Sequence, residues 1–175
     1  LNIKLNQQSG GLWCAFKDFI LQSDTGAIFQ IDILTFIINR DEIIATDHYE
    51  SLKSLEKLRL CHNLLWNSGQ FVIWDNNGVE LSSSKNEFTI PNSLYQNGLY
   101  VRPWEFGDRM VSAISGKHIS LSDLYINNKL SKYAKLIQPV VVDNNDSILW
   151  IPGLLHGKIN YNKRDKVKVV NWVQK

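Results

Sequence analysis

Apolar and polar positions follow short, changing periods along this chain, and these periods predict many strands and few helices. Apolar residues fall on nearly every turn of 12–21, which predicts a short helix, whereas 167–173 alternates Val and Trp with Lys and Asn as a strand does. The segment 27–38, rich in Ile and Phe, predicts a strand with 43–45 as its partner across a turn. Residues 49–60 fit both a helix face and a strand, so the pattern leaves their structure open.

Turn-forming residues predict two hairpins and separate further strands. Asn, Asp and Gly tolerate the positive φ that tight hairpin turns need, and they cluster at 75–78 and 143–146. The hairpins pair 70–74 with 79–81 and 140–142 with 148–151, and further strands are predicted over 88–90 and 99–104.

Two short helices are predicted after residue 120. Ser120 is placed as the N-cap of 121–128, and Ser131 as the cap of 132–136. The whole pattern predicts an α+β fold that is β-rich and has two small subdomains. The C-terminal subdomain is expected to be a mixed β-sheet or sandwich with one or two short helices.

The charge distribution places a domain boundary near 96–98. The net charge is +2, yet residues 1–101 hold seven Lys or Arg against eleven Asp or Glu, and residues 102–175 hold twelve against six. A basic half indicates an anionic partner such as nucleic acid, although lysine-rich surfaces are often merely solvated.

The composition predicts a globular protein of the cytoplasm. Hydrophobic residues make up 44% and charged residues 21% of the chain, and no apolar run approaches the ~18 residues of a membrane span. The polar start at 1–8 predicts no signal peptide. Cys14 and Cys61 form neither a CxxC pair nor a disulfide framework, which fits a reducing compartment. We expect no membrane partner.

The sequence offers no motif for catalysis or metal binding. Ser9-Gly10-Gly11 matches the start of an SGGxDS nucleotide loop, but Leu-Trp-Cys follows, and a helix-start turn is the better interpretation. The four histidines have no HxH, HxxxH or HExxH spacing, and the acidic residues of 41–56 look like a solvated face. We therefore predict no catalytic residue and no metal ligand.

The segment 101–153 carries the candidate binding chemistry. Gly107, Asp108 and Arg109 predict a turn in which Gly takes a positive φ and the carboxylate holds backbone or a guanidinium. Arg102 and Arg109 are bidentate donors suited to phosphate or carboxylate. The alternative is that Asp108 and Arg109 form a structural ion pair that holds the turn.

Further basic residues follow the turn. Lys117 and His118 lie in a loop before the predicted helix, where helix N-termini favour phosphate. Lys129, Lys132 and Lys135 recur every three residues and share one face if that helix continues. The alternative is that these lysines are only solvated.

Several motifs of this segment occur in the order and at the spacing of one family. The series resembles the C-terminal domain of bacterial tRNA(Ile)-lysidine synthetases through Arg102, Gly107-Asp108-Arg109, Gly116-Lys117, Lys129-Leu130, Pro139 and Ile148-Leu149-Trp150-Ile151-Pro152-Gly153. The match covers about a third of the chain. It departs from the family at Ile119 and Ser120, where a Lys-Lys pair is frequent, at Ser131, where Pro is usual, and at Lys135, where Arg is usual.

This resemblance implies a domain plan and a parent enzyme. Residues 1–21 would end a helical linker, 22–97 would form a β-rich intermediate domain, and 98–175 would bind tRNA. The parent is a ligase that uses ATP with Mg²⁺ and lysine to convert the wobble cytidine of CAU-anticodon tRNA(Ile) to lysidine. The N-terminal catalytic domain would be a partner of this part, which is expected to be inactive alone and to hold no cofactor.

The departures from the family weaken a residue-by-residue transfer of its RNA contacts, so the candidate contacts are the basic residues described above. Gly107 and Asp108 would be structural, and the candidate RNA contacts are Arg102, Arg109, Lys117, His118, Lys129, Lys132 and Lys135.

Two other classes of function are weighed against this one. A structural docking module would make no RNA contact. A related β-rich module occurs in the phenylalanyl-tRNA synthetase β subunit, so resemblance of fold alone would not establish the function. Aromatic residues such as Trp104 would then serve a protein interface, and a homodimer is compatible with either class. A stand-alone hydrolase or transferase would need a nucleophile–base spacing that the sequence lacks.

Overall fold

The computed structural model describes residues 10–76, 84–159 and 166–174. It divides into two compact units, the first comprising 1–53 with 131–133 and the second comprising 54–130 with 134–175. Over the described ranges, no helix has both the length and the apolar content needed to cross a bilayer.

The first unit packs a helix on a three-stranded antiparallel sheet. The Phe16 ring of the helix lies 4.7 Å from the Phe36 ring and 5.5 Å from the Phe29 ring, centroid to centroid, on neighbouring strands. The elements are α1 (Gly10–Gln22), β1 (Ile28–Ile31), β2 (Leu34–Asn39), β3 (Glu42–Thr46) and α2 (Tyr49–Lys53). The predicted helix at 12–21 is confirmed.

The single strand predicted over 27–38 is wrong, because the chain reverses at Asp32 and Ile33 to form β1 and β2. Asp32 takes a left-handed φ of 51°, yet Ile and Phe flank the turn on both sides, so no break in hydrophobicity marks it. The partner predicted at 43–45 is confirmed, with Ile38 opposite Ile43.

Over its described residues, the second unit contains three sheets and three short helices. Its strands are β4 (Leu58–Arg59), β5 (Leu64–Trp66), β6 (Gly69–Asp75), β7 (Glu87–Pro91), β8 (Leu99–Arg102), β9 (Arg109–Val111), β10 (His118–Ser120), β11 (Val140–Asp143), β12 (Ile148–Ile151), β13 (Leu155–His156) and β14 (Val167–Gln174). The helices are α3 (Asn92–Asn97), α4 (Leu121–Asn127) and α5 (Lys132–Ile137), the last beginning with two residues grouped with the first unit. The open segment 49–60 thus holds both α2 and β4.

The sheets are antiparallel and stack in layers. Their strand orders are β13-β12-β11-β8-β4, β5-β6-β14-β7 and β10-β9. Val141 of β11 joins a buried cluster with Phe71 and Trp172 of the four-stranded sheet, whereas Val140 and Val142 join a second cluster with Tyr125 of α4. Strands β11 and β12 of the five-stranded sheet are therefore buried on both faces, which explains their continuous apolar runs. The predicted α+β sandwich with short helices is confirmed.

The charge change at 96–98 does not coincide with a break in the core. Strand β8, directly after it, pairs with β4 so that Leu58 lies opposite Val101. The two compact units divide after Lys53 instead. The change in net charge near 96–98 is a property of the surface, whereas the division into units follows the packing of apolar side chains. The family-like roles of 1–21, 22–97 and 98–175 stay predictions.

The two predicted hairpins have different outcomes. The 140–151 hairpin is confirmed, with Val141 opposite Trp150, Val142 opposite Ile148 and Leu149 as the extra residue of a bulge on β12. Its turn is closed by the Asp143 carboxylate, which accepts from the Asn145 and Ser147 backbone N–H groups at 2.9 and 2.8 Å. The first hairpin needs 79–81, which lies outside the described residues, and β6 pairs with β5 and β14.

Candidate nucleic-acid interface

The turn that precedes β9 is fixed by a nearly buried ion pair. Arg102 donates from both terminal nitrogens to the two carboxylate oxygens of Asp108, at 2.9 and 2.8 Å, and also to the Pro103 carbonyl at 2.9 Å. Only 7% of the Arg102 side chain and 10% of the Asp108 side chain are exposed. The hydrogen bond to Asp108 is the main reason why the pKa of Arg102 is raised. We refer to this pair as the Arg102 lock.

The lock corrects two predictions. Arg102 was expected to contact RNA, but its guanidinium is engaged inside the protein, so its role is structural. Asp108 was weighed as the partner of Arg109, but it pairs with Arg102, and Arg109 is exposed on β9. The structural role predicted for Asp108 and the positive φ predicted for Gly107, at 95°, agree with this geometry.

A second ion pair ties the turn of the 140–151 hairpin to the lock. The Lys57 ammonium donates to Asp146 at 2.8 Å, and Nε of Arg102 lies 3.5 Å from the same oxygen. The hydrogen bond from Lys57 is the main cause of the lowered pKa of Asp146, with the charge of Arg102 adding to it. The residues around the lock are thus held by the turn of the 140–151 hairpin and by the segment that leads into β4.

Two predicted residues share one face of the β9–β10 hairpin. Arg109 lies opposite Ser120, and Val111 lies opposite His118. Because directly opposed residues point to the same side, Arg109 and His118 are diagonal neighbours. Met110 alternates to the other side, where it is 2% exposed and part of the second core cluster.

A third segment extends this face along the other edge of β9. The Lys158 N–H donates to the Val111 carbonyl at 2.8 Å, and the Ala113 N–H donates to the His156 carbonyl at 2.9 Å, around an antiparallel bridge from Ser112 to Gly157. This register places Lys158 opposite Val111. Exposed Arg109, His118 and Lys158 therefore surround Val111, and we name these three residues the basic face.

The close pairing of this third segment depends on a glycine. A Cβ added at Gly157 would lie 2.7 Å from the Leu149 carbonyl oxygen and 3.0 Å from that of Ile148. The Gly157 N–H also donates to the Leu149 carbonyl at 2.8 Å. Because Gly157 has no side chain, the backbone can pass close to Leu149 while Lys158 pairs with Val111 of β9.

The remaining predicted lysines are spread over several elements. Lys117 is exposed in the turn before β10, next to His118, and its carbonyl accepts from the Ser112 N–H at 3.0 Å. Exposed Lys132 begins α5 and donates to the Gly26 carbonyl at 3.3 Å, and Lys135 is half-buried on α5.

Lys129, Lys132 and Lys135 do not share one helix face, because α4 ends at Asn127 and the helix on which that face depended does not continue. Lys129 has a φ of 56°, its N–H donates to the Ile126 carbonyl, and the Leu130 N–H donates to the Tyr125 carbonyl. These two bonds form a Schellman motif, in which the residue after the cap takes the left-handed conformation usually given to Gly. The predicted N-cap is present, since the Asp123 N–H reaches Ser120 Oγ at 3.5 Å.

Sequence reasoning missed two exposed residues near this site. Lys158 reaches the basic face by strand pairing across more than forty residues, which no local pattern signals. Phe106 is 95% exposed, whereas Trp104, predicted as the exposed aromatic, is half-buried with its ring 5.4 Å from Tyr125. In the part of the chain that the structure describes, no three His, Cys, Asp or Glu side chains form a metal site.

Comparison with known proteins bears on both sequence and fold. No family model matches the chain. Over 65 residues, or 37% of this chain, it is 29% identical to the tRNA(Ile)-lysidine synthases of Thermotoga sp. strain RQ2 and Thermotoga maritima. That matched segment spans 15% of the length of those relatives.

The fold comparison covers more of the chain. A crystal structure of the TILS C-terminal domain superposes with a TM-score of 0.60 at 21% identity, over 68% of this chain and 96% of that chain. At this identity the likeness shows the fold, and the sequence matches point to the same proteins. In sequence and in fold, this chain resembles the C-terminal region of tRNA(Ile)-lysidine synthase.

Proposed function

We propose that this chain is the tRNA-binding C-terminal part of a tRNA(Ile)-lysidine synthase of the cytoplasm. The parent ligase would use ATP and lysine to convert the wobble cytidine of CAU-anticodon tRNA(Ile) to lysidine. The observation that carries the proposal is the basic face, which three separate segments build on a fold shared with the TILS C-terminal domain.

The physical case rests on how an RNA stem is recognised. A-form stems present phosphates and 2′-hydroxyls at regular spacing, and proteins bind them by shape and charge. Arg109 and Lys158 supply permanent positive charge from neighbouring strands, so the charges keep a fixed spacing. Arg109 adds a planar, bidentate donor suited to phosphate. Rigid placement lowers the entropy that binding would otherwise cost.

In the parent enzyme this part would hold the body of the tRNA while a separate domain performs the chemistry. Attachment at one end of the tRNA raises the effective concentration of the other end at the active site. On this proposal the chain itself adenylates nothing and binds neither ATP nor lysine.

The proposal is tested by fluorescence anisotropy of the 175-residue chain with CAU-anticodon tRNA(Ile) and with an unrelated tRNA, across a salt series. We expect binding whose logarithm falls linearly with the logarithm of salt concentration, because phosphate contacts release counterions. Comparable affinity for the two tRNAs would mean that another domain of the parent enzyme distinguishes one tRNA from another. Absence of binding at low salt would contradict the proposal.

A second candidate function is docking without RNA contact, and an apolar groove in the first unit favours it. The groove encloses about 710 Å³ and is lined by Trp13, Phe16, Ile33 and Leu34 among others. Trp13 is 45% and Ile33 72% exposed. Here the partner would be the catalytic domain of the same enzyme or a second copy. Salt-insensitive association of the chain, with no affinity for tRNA, would select this alternative.

A further inference from the structure

Phe106 exposes almost its whole ring on the turn that leads into β9. The side chain is 95% exposed, which forgoes the burial that normally stabilises a phenylalanine. Within the described residues its ring enters none of the close aromatic pairs that Trp104, Phe71 and Phe88 make. The fold itself therefore gives no reason for an aromatic residue at this position.

The backbone beneath Phe106 is unusually well fixed for an exposed turn. The Asp108 N–H donates to the Glu105 carbonyl at 3.1 Å, and the Glu105 N–H donates to the Asp108 carboxylate at 2.7 Å. That carboxylate is in turn held by the Arg102 lock. The ring therefore projects from an ordered platform, and fixing its two side-chain torsions on binding costs little entropy.

The neighbouring chemistry favours RNA over protein as the partner of this ring. Arg109 follows three residues later, so the two Cα atoms are at most about 11 Å apart. The basic face begins at Arg109 and continues to Lys158. A protein interface would place apolar groups around an aromatic anchor, whereas positive charge beside an exposed ring is the arrangement of single-strand RNA sites.

We propose that Phe106 stacks on an unpaired base of the RNA whose phosphates lie on the basic face. This inference rests on the proposed function and deepens it, because it names the ligand as a stem joined to unpaired nucleotides. Stacking uses the π-face that every base has, so it would tolerate any sequence at that position. The basic face would bind the phosphates of the stem, and Phe106 would contact an unpaired base at the end of that stem.

The test compares an RNA stem that carries an unpaired 3′ tail with the same stem lacking the tail, each bound to the 175-residue chain. Phe106→Ala should weaken binding to the tailed stem about tenfold and leave the blunt stem unchanged. Phe106→Trp should retain the preference for the tail. Ile114→Ala is the matched control, because Ile114 is an apolar side chain 87% exposed in the turn between β9 and β10, and both RNAs should bind it as they bind the wild type.

The outcomes separate this inference from the proposed function. Wild-type protein that binds both stems equally, with no effect of Phe106→Ala, overturns the stacking inference and leaves the basic face intact. Loss of self-association in Phe106→Ala, with RNA binding unchanged, overturns it in favour of a protein contact. Failure of the wild type to bind either stem overturns the proposed function itself.

Discussion

The guanidinium of Arg102 and the carboxylate of Asp108 face each other edge to edge, joined by two hydrogen bonds of 2.9 and 2.8 Å in a nearly buried position. One of the two arginines that the sequence offers as phosphate ligands is thereby engaged inside the fold. Arg102 instead stabilises the turn from which Phe106 and Arg109 project.

Removing the partner of Arg102 should be costly. In Asp108→Ala the guanidinium would stay buried without its counter-charge, and we expect the free energy of unfolding to fall by about 3–5 kcal/mol. Urea denaturation measures this. Lys57→Ala is the control, because its ion pair with Asp146 is partly exposed and should contribute at most about 1 kcal/mol. Equal losses in the two variants would show that the Arg102 lock does not hold the fold.

The basic face and the adjacent, exposed Lys117 make a separate prediction about tRNA binding. Arg109→Ala, Lys117→Ala and Lys158→Ala should each weaken binding and flatten its salt slope by about one at most, because each removes one phosphate contact. Thermal unfolding should show that all three variants remain folded, since these side chains are exposed. The measurement is the salt series of anisotropy titrations, with Lys17→Ala on α1 as the charge-matched control. If the variant with all three substitutions binds tRNA as tightly as Lys17→Ala does, these residues are not the RNA contacts.

Local patterns predicted most of the second unit, and their success has a physical basis. The runs around Val141 and Trp150 are apolar on both faces because the strand lies between two packed layers, so their strand character was plain in the sequence. Ser120 was recognisable as a cap because its chemistry is local. By contrast, Asp32 is a single turn-forming residue between apolar neighbours, so no cluster of turn residues signals the reversal of the chain there.

The candidate site was harder to predict because its geometry comes from non-local pairing. Arg102 and Arg109 look alike in sequence, and only the approach of Asp108 shows that the former is buried. Lys158 joins the site through a bridge between Ser112 and Gly157. Lys129, Lys132 and Lys135 would share a face only if one helix continued through them, but Lys129 is itself left-handed and lies just after the end of α4.

Two positions with left-handed backbone should respond to substitution with opposite signs. Gly107→Ala places a side chain at a φ of 95° and should destabilise the chain by about 1 kcal/mol, although nothing lies within 4 Å of the new Cβ. Lys129→Gly relieves strain at a φ of 56° and should stabilise it by about 0.5–1 kcal/mol. Urea denaturation measures both changes, and destabilisation by Lys129→Gly would argue against the Schellman ending of α4.

His156 should make stability depend on pH in the mildly acidic range. It is half-buried, its ring lies 5.7 Å from Phe88, and its Nε2 has no hydrogen-bond partner. Burial lowers the pKa of His156 below its usual 6.5. Below that pH the unfolded chain binds a proton that the folded chain resists, so the free energy of unfolding falls as the pH falls from about 6.5 towards the lowered value.

The variant His156→Phe keeps an aromatic ring on Phe88 and removes the titration, so it isolates this effect. We expect the free energy of unfolding to change less steeply with pH between 7.5 and 5.5 in the variant than in the wild type. One titrating group can contribute at most about 1.4 kcal/mol per pH unit to this slope. Urea denaturation at several pH values measures this slope. The lowered pKa of Asp146 acts in a separate window, because that carboxylate stabilises the fold above its ordinary pKa of 3.8 and loses this effect only in stronger acid. An unchanged slope in His156→Phe would mean that the ring is protonated as readily in the folded chain as in the unfolded one.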